Sequence, residues 1–105
     1  MVGISSRGKN MKNDLLKIIR NYGLANQMKH WHEEIYELDE AITQKEMEDN
    51  LLEDLIDRKY NVSQEIADNF VMLKQFQYFY NISDEEIESI MKSKVKRQLE
   101  RIKNE

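Results

Sequence analysis

Between Leu24 and Ile42 the apolar positions Leu24, Met28, Trp31, Ile35, Leu38 and Ile42 recur at intervals of three and four. That period belongs to a helix with one buried stripe, and it predicts a helix from Leu24 to about Glu48. Before it, "KNDLLKIIRN" (12–21) sets Leu15, Ile18 and Ile19 on one side of a shorter first helix. Gly23 is placed to end that helix, because glycine accepts the left-handed conformation at a C-terminus. Asp49-Asn50 interrupts the pattern. Leu51–Arg58 reads as a separate short helix, Tyr60-Asn61-Val62-Ser63 as a link, and the residues from there to about Tyr80 as the third main helix. The fourth has the clearest start: "NISDEEIESI" puts Ser83 at the cap and Glu86 three residues later, a capping box. Ile87, Met91, Val95, Leu99 and Ile102 then form its apolar stripe.

The fold class that follows is all-α, most economically an antiparallel four-helix bundle. The third helix is apolar on nearly every side from Ile66 onward, and one small subunit covers such a helix poorly. The bundle is therefore expected to be completed by dimerisation, as a homodimer or a higher homo-oligomer. Residues 1–10 ("MVGISSRGKN") are small, polar and basic and read as a disordered leader, leaving 11–105 as a single domain.

Composition narrows the function classes. No apolar run approaches the ~20 residues that span a bilayer, and the N-terminal stretch lacks a signal-peptide core. The chain has no Cys, which excludes disulfides within it and thiolate metal sites and makes a reducing cytoplasm the default compartment. The net charge of −4 disfavours a nucleic-acid polymer as partner, since a phosphate backbone rewards a basic surface. The charge is also uneven. Residues 33 to 57 are strongly acidic, whereas 92 to 103 hold Lys92, Lys94, Lys96, Arg97, Arg101 and Lys103. The two zones are expected to meet at one site.

The candidate chemistry lies in carboxylates that share a helix face with apolar side chains. On the third helix Glu65, Asp68, Met72, Phe76 and Phe79 fall within a sector of about 80°. An unpaired carboxylate there costs several kcal/mol to bury, so it needs a cation or hydrogen-bond donors. On the second helix Glu34 and Glu37 are also three apart, hence neighbours. Antiparallel packing of these two helices lets the pairs face each other as four oxygen ligands, a set that suits Mg²⁺ or Mn²⁺. The competing reading is a set of solvated or salt-bridged acids, with Asp68 paired to Lys74 or to another lysine.

These residues resemble a known family. "HEEIYEL" and "EIADNFVML" are similar to the E-E-x-x-E … E-x-x-D signature of the MazG-like all-α nucleoside triphosphate pyrophosphohydrolases, as Glu33-Glu34-x-x-Glu37 and Glu65-x-x-Asp68. "KVKRQL", with Lys94 and Arg97, resembles the K-x-x-R motif of the family's next helix, although Gln98 stands where that motif has a second Arg. The resemblance runs over residues 15 to 102. It implies hydrolysis of a nucleoside triphosphate, more specifically a deoxynucleoside triphosphate, to monophosphate and pyrophosphate, in nucleotide-pool housekeeping. It further implies Mg²⁺ on Glu34, Glu37, Glu65 and Asp68, with Mn²⁺ as a substitute. Glu33 or Glu37 would be the general base, and Lys94 and Arg97 would contact phosphate. For the base, Trp31 offers a stacking surface, with Gln27, His30 and Asn69 to bond its edge. The alternatives are core packing for Trp31 and mutual satisfaction of Asn69 and Gln75 across the helix interface. The rival function is a non-catalytic helical dimerisation or adaptor module whose acids form salt bridges.

Overall fold

The computed structural model describes the backbone of residues 4–43 and 52–105, and the side chains of 11–43 and 55–105. It contains four helices among these residues: α1 (Ile4–Tyr22), α2 (Leu24–Thr43), α3 (Leu52–Phe79) and α4 (Asp84–Lys103). The all-α class holds. No helix among the described residues is long and apolar enough to cross a membrane.

The helix boundaries show local chemistry at work. Gly23 adopts φ +92°, and its N–H donates to the Ile19 carbonyl at 2.8 Å, so α1 stops and α2 starts one residue later. α3 ends in a Schellman motif with Asn81 (φ 57°) in the left-handed position. Asn81 N–H donates to the Tyr78 carbonyl and Ile82 N–H to the Gln77 carbonyl, both at 3.0 Å. Ser83 then caps α4, its hydroxyl accepting from the Glu86 N–H at 3.1 Å. Asp84, Glu85 and Glu86 occupy the positive first turn, and Arg101 and Lys103 the negative last turn.

Three expectations are corrected. The helical backbone of α1 begins at Ile4 rather than Lys12, so residues 4–10 of the expected leader continue the helix. Leu51–Arg58 and the helix after it are not separate: α3 runs unbroken from Leu52 through Tyr60-Asn61-Val62-Ser63. The expected link at Tyr60–Ser63 is helical as well: the Ser63 hydroxyl donates to the Lys59 carbonyl at 2.7 Å, one turn back, and the helix carries on. The end of the second helix beyond Thr43, and Asp49-Asn50, lie outside the described residues.

α2 and α3 pack antiparallel. Gln27 meets Gln75, Glu34 meets Asn69, and Glu37 lies near Glu65, so one number rises as the other falls. α1 packs on the same helix α3, with Lys12 Nζ 5.2 Å from the centre of the Tyr78 ring. The core is thin and unusually polar. Leu15, Ile19 and Met72 are its buried apolar members; Gln27, Asn69, Gln75 and Gln77 are its buried polar ones. α4 packs on no helix to the extent that α1 and α2 pack on α3, and none of its residues is buried. The radius of gyration, 17.5 Å, exceeds the roughly 13 Å of a compact chain this long.

Candidate functional site

The site is built where α2 and α3 face each other. Asn69 joins them: its one side-chain nitrogen donates to the Glu34 carbonyl across the interface at 3.0 Å and to the Glu65 carbonyl on its own helix at 2.8 Å. Both of its hydrogens are used, and the backbones at Glu34 and Glu65 are held together. From these two positions and Glu37, one carboxylate oxygen each comes within 4.8 Å of the others.

Three acids this close repel one another unless protons or a cation intervene. Glu34 is held above the usual carboxylate range, first by burial and then by the charges of Glu37 and Asp68. His30 acts the other way, with Nε2 at 3.0 Å from Glu34 Oε1. Glu65 is also raised, by burial, by Glu37 and by Asp68, and it is close enough to Glu37 to share a proton with it. The remaining oxygens of the two facing acids, Glu34 Oε2 and Glu65 Oε2, are buried and have no hydrogen-bond partner. Buried polar atoms are nearly always satisfied, and these two acceptors can take a hydrogen-bond donor, a water or a cation. An all-oxygen donor set fits Mg²⁺ or Mn²⁺.

Beside the cluster lies a cavity of about 510 Å³. Glu34 and Asp68 form its acidic wall, Gln27 and Gln75 an amide wall, and Tyr22 and Val71 contribute apolar surface. Asp68 is exposed and stands outside the three-oxygen group, although its charge is felt by both Glu34 and Glu65. The expectation of Asp68 as a carboxylate immersed in apolar side chains therefore gives way to Asp68 on the cavity wall.

The other candidates are placed as follows. Glu37 is exposed and in the cluster; Glu33 is exposed and outside it. Gln27 is buried and donates to Gln75 Oε1 at 2.8 Å, while Gln75 also reaches Met72 Sδ at 3.7 Å. Gln75 is thus satisfied by Gln27, and Asn69 by backbone carbonyls, rather than by each other. Trp31 is half-buried against Phe76, edge to face with ring centres 5.6 Å apart, and its indole N–H is buried without an acceptor. Lys94 and Arg97 are exposed on α4 and are not brought to the acids of their own chain. Two features escaped sequence reasoning: the buried amide pair and the His30–Glu34 contact. The i,i+4 spacing of His30 and Glu34 was the available signal for the second.

No protein-family model matches the chain, and neither a curated protein nor a solved structure matches it.

Proposed function

We propose that the protein is a Mg²⁺-dependent nucleoside triphosphate pyrophosphohydrolase, releasing monophosphate and pyrophosphate, as the MazG-like motif resemblance implies. One observation carries the reading: two buried, unpartnered carboxylate oxygens, Glu34 Oε2 and Glu65 Oε2, belong to a three-acid cluster on facing helices. Glu34, Glu37 and Glu65 would hold the ion, with Asp68 at the cavity side. A bound Mg²⁺ supplies charge neutralisation for the triphosphate and acidifies water.

The chain's own residues divide the rest of the work. Asn69 fixes the spacing of α2 and α3 at the ligands, and His30 fixes the orientation of Glu34. Glu37, exposed within the cluster, or Glu33 would take a proton from water, as the resemblance implies. The cavity is within the range of small-molecule sites, roughly 300–1,000 Å³, and takes the nucleoside part beside the acids. The resemblance assigns Lys94 and Arg97 to charge on the departing pyrophosphate, a role that needs a second subunit because α4 does not bring them to the cluster of their own chain.

The test is a panel of NTPs and dNTPs with Mg²⁺, resolving pyrophosphate from orthophosphate. At least one nucleotide is expected to yield pyrophosphate and monophosphate. Removal of an outer ligand partner typically costs 10–100-fold, so Glu34→Gln should lose at least about 100-fold. No turnover of any nucleotide, together with no Mg²⁺-dependent change in thermal stability, refutes the reading. That outcome leaves the helical interaction module, which the uncovered apolar stripe of α4 favours.

A further inference from the structure

The cavity beside the cluster has a charge that the reaction proposed above leaves unexplained. Among the described residues that line it, Glu34 and Asp68 are acids, His30 is the one basic residue, and none is lysine or arginine. A triphosphate finds no strong counter-charge there, so its phosphates belong at the metal cluster and the cavity is left to the neutral part of the ligand. Trp31, expected to stack on a base, does not line the cavity; it packs edge to face on Phe76. Tyr22, Ile18 and Val71 supply the aromatic and apolar surface instead. At about 510 Å³ the space admits a nucleobase with its sugar.

The polar groups of the cavity are of two kinds. Gln27 and Gln75 are more than nine-tenths buried, yet their hydrogen-bonding capacity is only partly used. Gln27 Nε2 donates to Gln75 Oε1 at 2.8 Å, Gln75 Nε2 has the Met72 sulfur at 3.7 Å, and no described residue donates to Gln27 Oε1. A buried amide with an unused acceptor on a cavity wall is placed to meet a ligand or water. The pair does not dictate which edge it meets. Turning both amides over together keeps their mutual bond and exchanges the free acceptor for a free donor.

The acids are less accommodating. An ionised carboxylate only accepts, so the part of a ligand that reaches it must present N–H or O–H groups. With Glu34 engaged by the metal, Asp68 is the acid left facing the base. Among nucleobases this favours the amino-bearing ones. Cytosine and adenine present an exocyclic NH₂, and guanine an NH₂ next to a ring N–H, whereas uracil and thymine present carbonyl oxygens on both sides of one N–H. A carbonyl oxygen set against a carboxylate is repelled and loses its hydration without a partner.

We propose that the cavity between α1, α2 and α3 is a nucleobase pocket selective for amino-bearing bases, in which Asp68 accepts from the exocyclic amine, the Gln27–Gln75 pair bonds the adjoining edge and Tyr22 lies at the ring. Asp68 is thereby a specificity residue rather than a metal ligand, in keeping with its place outside the three-oxygen group. The selectivity rests on the nucleotide reading proposed above and adds the class of base to it.

Matched nucleosides that differ at the amine are the probes: cytidine against uridine, and guanosine against inosine. They carry no phosphate, and binding to the full chain is followed in EDTA by ligand-observed NMR, so neither metal nor turnover enters the readout. In at least one pair the amino-bearing member should bind about ten-fold tighter, the scale of a good base-edge contact. Asp68 is exposed, so Asp68→Asn should keep its helical circular dichroism. It should bring the ratio to about two-fold or less, because an amide also donates and so accommodates a carbonyl. Equal binding within both pairs, tighter binding of uridine or inosine, or a preference that survives Asp68→Asn overturns the assignment. If the nucleosides bind too weakly to rank, the α,β-imido triphosphates of the same bases are ranked by calorimetry with Mg²⁺, and no binding there either overturns the pocket. Mn²⁺ affinity, read by electron paramagnetic resonance, should change less than about ten-fold in Asp68→Asn; a larger loss makes Asp68 a ligand and overturns its role as base reader. The pocket and the reaction fail separately. Nucleosides that rank as expected while no triphosphate is hydrolysed refute the reaction and keep the pocket. Equal hydrolysis of amino-bearing and amine-free triphosphates keeps the reaction and refutes the pocket.

Discussion

The buried amide pair offers a quantitative test of how α2 is held on α3. Gln75 is 1% exposed and Gln27 5%, and a single 2.8 Å hydrogen bond joins them. Replacing Gln27 with Leu keeps the approximate shape but leaves Gln75 Oε1 without its donor. Replacing Gln75 with Leu strands Gln27 Nε2 in the same way. Either change leaves one buried polar group unsatisfied, at a cost of about 1–3 kcal/mol. The neighbouring cavity is roomy and polar on one wall, so water can reach part of the stranded amide and the cost should fall toward about 1.5 kcal/mol. The double replacement strands nothing and adds apolar contact next to Met72, so it should lie within about 0.5 kcal/mol of wild type.

The four proteins form a double-mutant cycle, measured by urea unfolding at one fixed protomer concentration. The expected coupling is about 2–3 kcal/mol, since two single costs of about 1.5 kcal/mol vanish in the double variant. In thermal terms each single variant should melt roughly 6–12 °C lower, using about 4–8 °C per kcal/mol for a domain of this size. Additivity within about 0.5 kcal/mol would mean that the two amides act independently. The hydrogen bond would then not be what registers α2 on α3, and the placement of the acid cluster would need another cause.

Two further predictions concern charge. Asp84 is held down to about 2 from 3.8, chiefly by its hydrogen bonds from Lys74 and Gln77. A shift of that size is worth roughly 2 kcal/mol in a dry site; with the side chain 56% exposed, screening reduces it to about 1 kcal/mol. A lowered carboxylate contributes stability above its unfolded value and loses it as pH falls toward the folded one. The stability difference between wild type and Asp84→Asn should therefore be present at pH 6 and shrink between about 4 and about 2; a difference that does not change with pH refutes the assignment. Glu34 and Glu65 have the opposite sign: both are raised, so in EDTA wild-type stability should fall as pH climbs above 4.5. Mg²⁺ at ten times its dissociation constant should restore about 1.4 kcal/mol at neutral pH. Glu65→Gln should flatten the EDTA profile and abolish the Mg²⁺ gain in a thermal-shift titration, whereas an undiminished gain would place the ion elsewhere.

What was legible in the sequence was chemistry that acts within a few residues. Gly23 and Ser83 were readable because a left-handed glycine and a serine cap are decided by their own backbone neighbours. The acid cluster was readable for a related reason: Glu34 and Glu37 are one turn apart, and antiparallel packing leaves few places for Glu65. The join at Tyr60–Ser63 was not. Asn61 and Ser63 have weak helix preferences, and whether Ser63 caps a helix or bonds back to Lys59 depends on what lies on either side. Nor was the amide-rich core legible, since Gln27, Gln75 and Gln77 carry no apolar period and are buried only because each finds its partner. The position of α4 was the hardest to read. Its stripe was visible as a stripe, but what an apolar stripe packs against is settled outside the helix, and α4 stands apart from the packed trio of α1, α2 and α3.

The proposed function and the demands of folding pull in opposite directions at the cluster. Asn69 bonds both carbonyls at the cluster, and the Gln27–Gln75 bond fixes the same interface farther along, so the acids cannot relax apart without breaking buried hydrogen bonds. Without a cation, the fold instead accepts raised carboxylates on facing helices and leaves one oxygen of each unpartnered. A structure selected for stability alone would place an apolar pair there, because buried ionic groups rarely repay their desolvation against well-packed hydrocarbon. Neutral amides next to the cluster make the contrast sharper: they meet the interface's need for hydrogen bonds without charge, whereas of the facing acids Glu34 has only His30 as a basic partner. Under the proposed reading, a divalent cation is the partner that this charge is there to hold.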